Sequence, residues 1–283
     1  MAINLSDKML SLANKNLYGN LYNLNPKKNK ILTVLNYFLE IKLRTKVFSI
    51  NIFRKLLKKI FSNKFDKFIE FKIESSLKEK SNIIKNEIET KGYIFLENFL
   101  NQDYYTFLNK NFPKRYELYK SKSPLKNYNI GFIYGSDGTY RDLEHPNALN
   151  TFYKFILSNE FEKDVNNIFN LTNNKLVCKN IVASIAEEKS FLIPHMDSIS
   201  SERKDLNINF IYFVDGNDDD IDYSGGTSIY EDNDGEKVLL KPKTLKNSVL
   251  IYNNIAHFFH GFKIMKKKCH RKAFSFQFNL IKN

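Results

Sequence analysis

Apolar positions change their period once along this chain, near Leu176. Ahead of that point they recur three and four apart, the spacing of one helix face. Leu35, Phe38, Leu39 and Leu43, then Phe53, Leu56, Leu57, Ile60 and Phe61, predict amphipathic helices within residues 31–68. Arg54, Lys55, Lys58 and Lys59 lie on the polar side of the second. Residues 1–30 are polar, rich in Asn and without a period. Residues 76–112 predict a helix over 81–90 closed by Gly92, a strand over 93–96, and a second helix capped by Asn101 or Asp103 that runs through Tyr105 and Leu108. Pro113 and the GSDGT run at 135–139 mark loops, and 151–170 predicts one further helix.

Beyond Leu176 the apolar runs are short and β-rich: 179–186, 191–195, 206–214, 226–230, 237–241, 247–253, 258–264 and 271–280. Loops of Gly, Asp, Asn or Lys separate them. Short strands at this spacing, with no helix between them, predict an antiparallel sandwich or jelly roll. The fold class is therefore α+β, helices first and the β-sandwich last. A basic, largely helical region over 1–80 precedes a domain over 81–283, whose core lies at about 179–280.

Composition narrows the class. At 42% hydrophobic residues, the 283-residue chain has ample material for a core, which excludes disorder over the whole length. No run approaches the length of uncharged apolar residues that a membrane span needs. The N-terminus lacks the basic start and apolar stretch of a secretory signal. Two cysteines, Cys178 and Cys269, exclude a disulfide scaffold and fit a reducing compartment, so the expectation is a cytoplasmic protein. The net charge of +13 sits forward: residues 1–90 hold 18 Lys/Arg against 8 Asp/Glu. No interleaved aromatic and basic module accompanies it, so no nucleic-acid partner is expected. Peripheral membrane contact through residues 31–68 is the alternative use of that charge. A solvated helical layer is the plainer one.

Five histidines occur, and His195 stands two residues before Asp197 at the end of a β-run. In extended chain both side chains point to one face. Tyr252, His257 and His260 follow at the junction of two later strands, and Arg271, Ala273 and Ser275 then alternate along the last one. Two histidines and a carboxylate on a β-scaffold form a facial triad suited to non-haem Fe(II), with coordination positions left open. Arg271 supplies a planar fork for a carboxylate. An open metal and a buried cation one strand away suit a chelating dicarboxylic 2-oxo acid.

On these residues the sequence resembles the Fe(II)/2-oxoglutarate-dependent oxygenases, in particular their prolyl-hydroxylase-like branch, over roughly 85–280. The segment EIETKGYIFLENFL (87–100) is similar to that branch's opening helix and strand. HMD at 195–197 is similar to its metal motif, NFIYFVD at 209–215 and SGGTSIY at 224–230 to its next strands, and HGFKI at 260–264 to its distal-histidine segment. The resemblance implies a double-stranded β-helix buttressed by helices. It implies Fe(II) on His195, Asp197 and His260, with His257 as competitor for the distal place. Arg271 would hold the remote carboxylate of 2-oxoglutarate, with Ser275 as hydroxyl partner. Three positions depart from the branch: Ala186 and Phe213 stand where tyrosines are common, and Ala273 where serine is. Tyr212 and Tyr252 are the candidates to supply the missing hydroxyls.

The implied reaction uses O2 and 2-oxoglutarate to hydroxylate a substrate C–H bond, giving succinate and CO2, with ascorbate as a stimulant. Halogenating relatives carry Gly or Ala in place of the carboxylate, so Asp197 implies hydroxylation. The substrate is a small molecule or a protein side chain, and Tyr140 and Arg141, in a loop ahead of the strands, are candidate contacts. Two other classes stay open: a β-helix that binds or senses without turnover, and a membrane-surface factor acting through its basic helices. The acidic run 215–222 lacks the closing glutamate of a calcium loop and reads as a strand connection.

Overall fold

The computed structural model describes residues 72–123, 125–135, 148–169, 174–196, 207–253 and 258–282. The basic helices expected within 31–68, and Tyr140, Arg141, His145, Asp197 and His257, lie outside the described residues. Helices α1 (Ser81–Lys91), α2 (Gln102–Lys110), α3 (Ala148–Ile156) and α4 (Asn159–Ile168) accompany eleven strands. These are β1 (Tyr93–Glu97), β2 (Tyr119–Ser123), β3 (Lys126–Gly135), β4 (Asn174–Glu187), β5 (Phe191–His195), β6 (Asn207–Gly216), β7 (Ser228–Tyr230), β8 (Val238–Leu240), β9 (Ser248–Asn253), β10 (Phe259–Phe262) and β11 (His270–Lys282). Among the described residues no helix is long and apolar enough to cross a membrane.

Local chemistry sets the boundaries. Gly92 ends α1 at φ 83°, its N–H donating to the Ile88 carbonyl at 3.0 Å, a left-handed position that suits glycine. Asn101 precedes α2, but its side-chain oxygen accepts the Glu74 N–H at 3.0 Å instead of capping the helix. The single helix expected over 151–170 is two. Ser158 breaks it by accepting the Phe161 N–H at 3.2 Å and so capping α4. A hairpin of β2 and β3 occupies the stretch after Pro113, which carried no strand prediction.

The strands run β1-β9-β6-β11-β4-β3-β5-β10-β7-β8, each paired antiparallel, with β2 added to β3. The sheet changes partner on β3. Asn129 and Ile130 pair with Ile185 and Ser184 of β4, while Lys126 and Asn127 pair with Leu192 and Phe191 of β5. Strand alternation then gives the sheet two unlike faces. Phe274, Phe276 and Phe278 of β11 pack outward with Phe210 and Tyr212 of β6 beneath Phe152 of α3 and Phe161 of α4. Phe152 stacks on Phe274 at 4.4 Å and Phe210 on Phe276 at 4.7 Å between ring centroids. Each such buried ring contributes about 1.5–3 kcal/mol. Between them lie the inner-face residues: Ala273 of β11 packs with Ile211 and Phe213 of β6 and with Leu250 and Tyr252 of β9. Side chains from the two halves of the strand path meet across this interior, as Tyr252 of β9 does with His260 of β10. The architecture is a double-stranded β-helix, with helices on the outer face of its larger half.

Candidate active site

His195 closes β5, and His260 lies directly across from it on β10. Their ring centroids are 4.3 Å apart. The approach depends on the next residue. A Cβ on Gly261 would meet the Leu192 carbonyl oxygen at 2.5 Å, the Pro194 nitrogen at 2.8 Å and the Ile193 carbonyl carbon at 2.9 Å, all backbone. Glycine after the histidine is thus what lets β10 close on β5. Nδ1 of His195 is 2.9 Å from the Ile193 carbonyl oxygen. With Nδ1–H donating there, the lone pair sits on Nε2, the tautomer a metal ligand needs. His260 is buried, and the Tyr252 hydroxyl is 3.1 Å from its Nε2. Among the described residues no three His, Cys, Asp or Glu form a group. The two histidines are two of the three expected ligands, and Asp197 lies two residues past the end of β5. Paired imidazoles with one ring already oriented by a carbonyl are a donor set that fits Fe(II).

Arg271 is 4% exposed on the inner face, across from Ala186 of β4 and Gly216 of β6. Its Nη1 donates to the Gly225 carbonyl at 2.8 Å and to Thr227 Oγ1 at 3.1 Å. The Phe262 ring covers the guanidinium at 4.4 Å, and the Tyr128 ring lies 5.9 Å away. Nε is buried with no hydrogen-bond partner. Burial pushes the pKa down from 12.5 to about 10, with the Tyr128 phenol opposing the fall. That difference corresponds to about 3 kcal/mol against the buried charge. A buried cation with an orphaned N–H is costly unless an anion arrives. A carboxylate complements this guanidinium in charge and in hydrogen bonding.

The other expected residues divide. Ser275 pairs with Ile211 of β6 and Val182 of β4 and shares the inner face with Arg271 and Ala273. Tyr252 also faces inward, at His260. Tyr212 does not join them. It is the neighbour of inward-facing Phe213, so it points outward, against Phe99, Phe152 and Phe274, and its hydroxyl donates to Asn247 Oδ1 at 3.1 Å. Burial there holds its pKa well above the ordinary value. Period two forbids Tyr212 from replacing a hydroxyl missing at Phe213. Sequence reasoning passed over Gly225, Thr227 and Tyr128, the groups that surround Arg271. Tyr128, Ile130, Phe132 and Tyr134 do alternate, which is the signal that could have placed β3.

Further along the same inner face the lining becomes amide. Gln277 pairs with Asn180 and Asn209, and Asn279 with Asn207; Asn180 Nδ2 donates to Gln277 Oε1 at 3.4 Å. Asn209 is also the partner of Tyr252, which brings this polar wall to the level of the histidine pair. Four of the five acids in 215–222, Asp215, Asp218, Asp220 and Asp222, are taken up by the protein. Asp218 accepts from Thr244 and Leu245, Asp220 pairs with Lys266 and Asp222 with Lys241. His270 lies 3.3 Å from Asp215 on the outer face, beside Lys272.

No family model matches the sequence, and no curated protein does. Solved structures do match. A Pseudomonas putida prolyl-4-hydroxylase superposes with a TM-score of 0.51 at 12% identity, covering 70% of this chain and 97% of that one. A Trichoplax adhaerens prolyl hydroxylase, solved with a hypoxia-inducible-factor peptide fragment, gives 0.51 at 15%, covering 72% and 90%. The fold is that of the 2OG-Fe(II) oxygenases. A Burkholderia pseudomallei oxidoreductase of the 2OG-Fe(II) oxygenase family gives 0.51 at 9%, covering 75% of this chain and 93% of its own. Within the oxygenase fold, the prolyl-hydroxylase-like branch is therefore among the structures this chain is similar to.

Proposed function

We propose that this protein is a dioxygenase that uses Fe(II) and 2-oxoglutarate to hydroxylate a C–H bond of its substrate, with succinate and CO2 as coproducts. The observation that carries the reading is Arg271, a buried guanidinium with an orphaned Nε on the inner face of a β-helix that also holds a facing pair of histidines. His195, His260 and Asp197 would hold the iron. Arg271, with Ser275 on its face, would hold the cosubstrate's far end. When bound, the iron and 2-oxoglutarate together supply the oxidising chemistry.

The chain's own groups bind, orient and exclude water. The Ile193 carbonyl fixes the His195 tautomer, Gly225 and Thr227 fix the Arg271 fork, and Phe262 shields it. Inert Phe213 and Ala273 line the interior between Arg271 and the amides. Asn180, Asn207, Asn209, Gln277 and Asn279 offer donors and acceptors to a polar substrate, either a small molecule or a peptide like the one bound by the Trichoplax enzyme. The alternation of outer Phe with inner polar residues along β11 serves both jobs in one strand.

Succinate formation by the iron-loaded full chain tests the reading. It should require both iron and 2-oxoglutarate, and it should vanish in His195→Ala and Asp197→Ala. Undiminished succinate from His195→Ala sinks it. Tight 2-oxoglutarate binding with no succinate under any substrate would instead favour a β-helix that binds or senses its ligand without turnover.

A further inference from the structure

A cleft lies on the outer face of the sheet, behind Arg271. Its volume is about 660 Å3, within the range of small-molecule sites. Helix α2 and the chain after it form one wall, and the ends of β4, β6 and β11 form the other. Strand alternation keeps it apart from the interior: His270 and Lys272 line the cleft, while Arg271 between them faces inward. The floor is apolar. Phe112 is buried against Phe274 with ring centroids 4.9 Å apart, and Ile185 is the β4 partner of Lys272. The charges above that floor do not balance. Lys272 Nζ donates to Asp215 Oδ2 and to Asn109 Oδ1, each at 3.0 Å, and so ties β11 to α2. Arg115 Nη1 lies 3.1 Å from Glu187 Oε2. Those pairs use both carboxylates of the lining. Lys110 and Lys114, also in the lining, are exposed and make no ion pair among the described residues, which leaves two uncompensated cations.

We propose that this cleft is a separate binding site for a small organic anion. Lys110 and Lys114 meet its phosphate or carboxylate, and its apolar body lies over Phe112 and Ile185. Lysine offers a point charge with three donors, which suits either anionic group. Exposed lysines alone would hold a bare anion weakly. The apolar floor removes the rest of the ligand from water and so supplies what the charges do not. The site needs neither Fe(II) nor 2-oxoglutarate, and it does not depend on the dioxygenase reading.

Calorimetric titration of phenyl phosphate and of inorganic phosphate into the full chain is the test. Phenyl phosphate should bind saturably at one site, about tenfold or more tighter than inorganic phosphate, because its ring is buried on the floor. Lys110→Ala and Lys114→Ala together should weaken phenyl phosphate about tenfold, the worth of two exposed charge contacts. Both side chains are exposed, so the thermal midpoint of the unliganded double variant should match the wild type. Arg271→Met, which alters only the inner face, should bind phenyl phosphate as the wild type does. No saturable binding by the wild type overturns the proposal, as does a double variant that binds like the wild type. Equal affinity for the two phosphates overturns it as well, since charge alone would then do the holding. Loss of binding in Arg271→Met with full binding in the double variant would put the ligand in the interior and overturn it too.

Discussion

His195 and His260 are cross-strand partners on β5 and β10, and their rings approach to 4.3 Å. The pairing converts two residues far apart in sequence into one donor pair, and it rests on backbone contact at Gly261. Gly261→Ala forces a methyl into three backbone atoms of β5. The strain should cost about 1–3 kcal/mol, and the larger effect should be loss of Fe(II) binding as the rings separate. Iron competition against a chromogenic chelator, beside a thermal melt, checks both. Wild-type iron affinity in this variant would show that the register is not what aligns the ligands.

Arg271 behaves as a cation awaiting a partner. In the wild type, 2-oxoglutarate at a hundredfold over its Kd should raise stability by about 2.7 kcal/mol, read as a rise in thermal midpoint. Arg271→Met removes the buried charge and keeps much of the volume, so the unliganded variant should melt no lower than the wild type. Its midpoint should no longer respond to 2-oxoglutarate. An equal ligand-induced rise in the variant would place the cosubstrate elsewhere.

Tyr252 puts its hydroxyl 3.1 Å from Nε2 of His260, inside the space an ion on that histidine commands. Tyr252→Phe should leave iron affinity equal or higher, because one competitor for the nitrogen is gone. The affinity of the iron-loaded protein for 2-oxoglutarate should fall roughly two- to tenfold, one hydrogen bond's worth. Calorimetry on the loaded and unloaded proteins separates the two effects. A drop in iron affinity with unchanged 2-oxoglutarate binding would reverse the assignment.

Tyr212 supplies a control on the opposite face. Its hydroxyl serves Asn247, which also accepts the Leu100 N–H at 3.0 Å and donates to the Leu100 carbonyl at 2.8 Å. Tyr212→Phe should therefore cost about 1 kcal/mol of stability and leave 2-oxoglutarate affinity alone. A selective loss of cosubstrate binding would mean the sheet faces are assigned the wrong way round.

These faces also explain how much the sequence disclosed. Strands β4 to β11 were legible because each carries a short apolar run between turn residues, and β11 adds a strict alternation of Phe with smaller side chains. His260 was preferred to His257 for its context before Gly261, and the structure gives that glycine a physical task. Tyr212 was misplaced because it was chosen for its hydroxyl, although it adjoins Phe213 and so must face away from it. The β2–β3 hairpin went unread because Asn127, Asn129 and Gly131, residue types common in turns, fill the polar places of its alternation, and Tyr128 was lost with it. The break between α3 and α4 was hidden because Ser158 acts through one hydrogen bond, which a helical period does not register. What surrounds Arg271 depends on which strands become neighbours, and no spacing along the chain encodes that directly.

On the proposed function, one interior holds both an iron on the histidine pair and a dicarboxylate on Arg271. Anaerobic titration of 2-oxoglutarate into the Fe(II)-loaded full chain tests it most directly, through the weak visible charge-transfer absorption of a chelated 2-oxo acid. A saturable band is expected, absent in His195→Ala and needing far more 2-oxoglutarate to appear in Arg271→Met. An iron-loaded wild-type protein that shows no band at any concentration would contradict it.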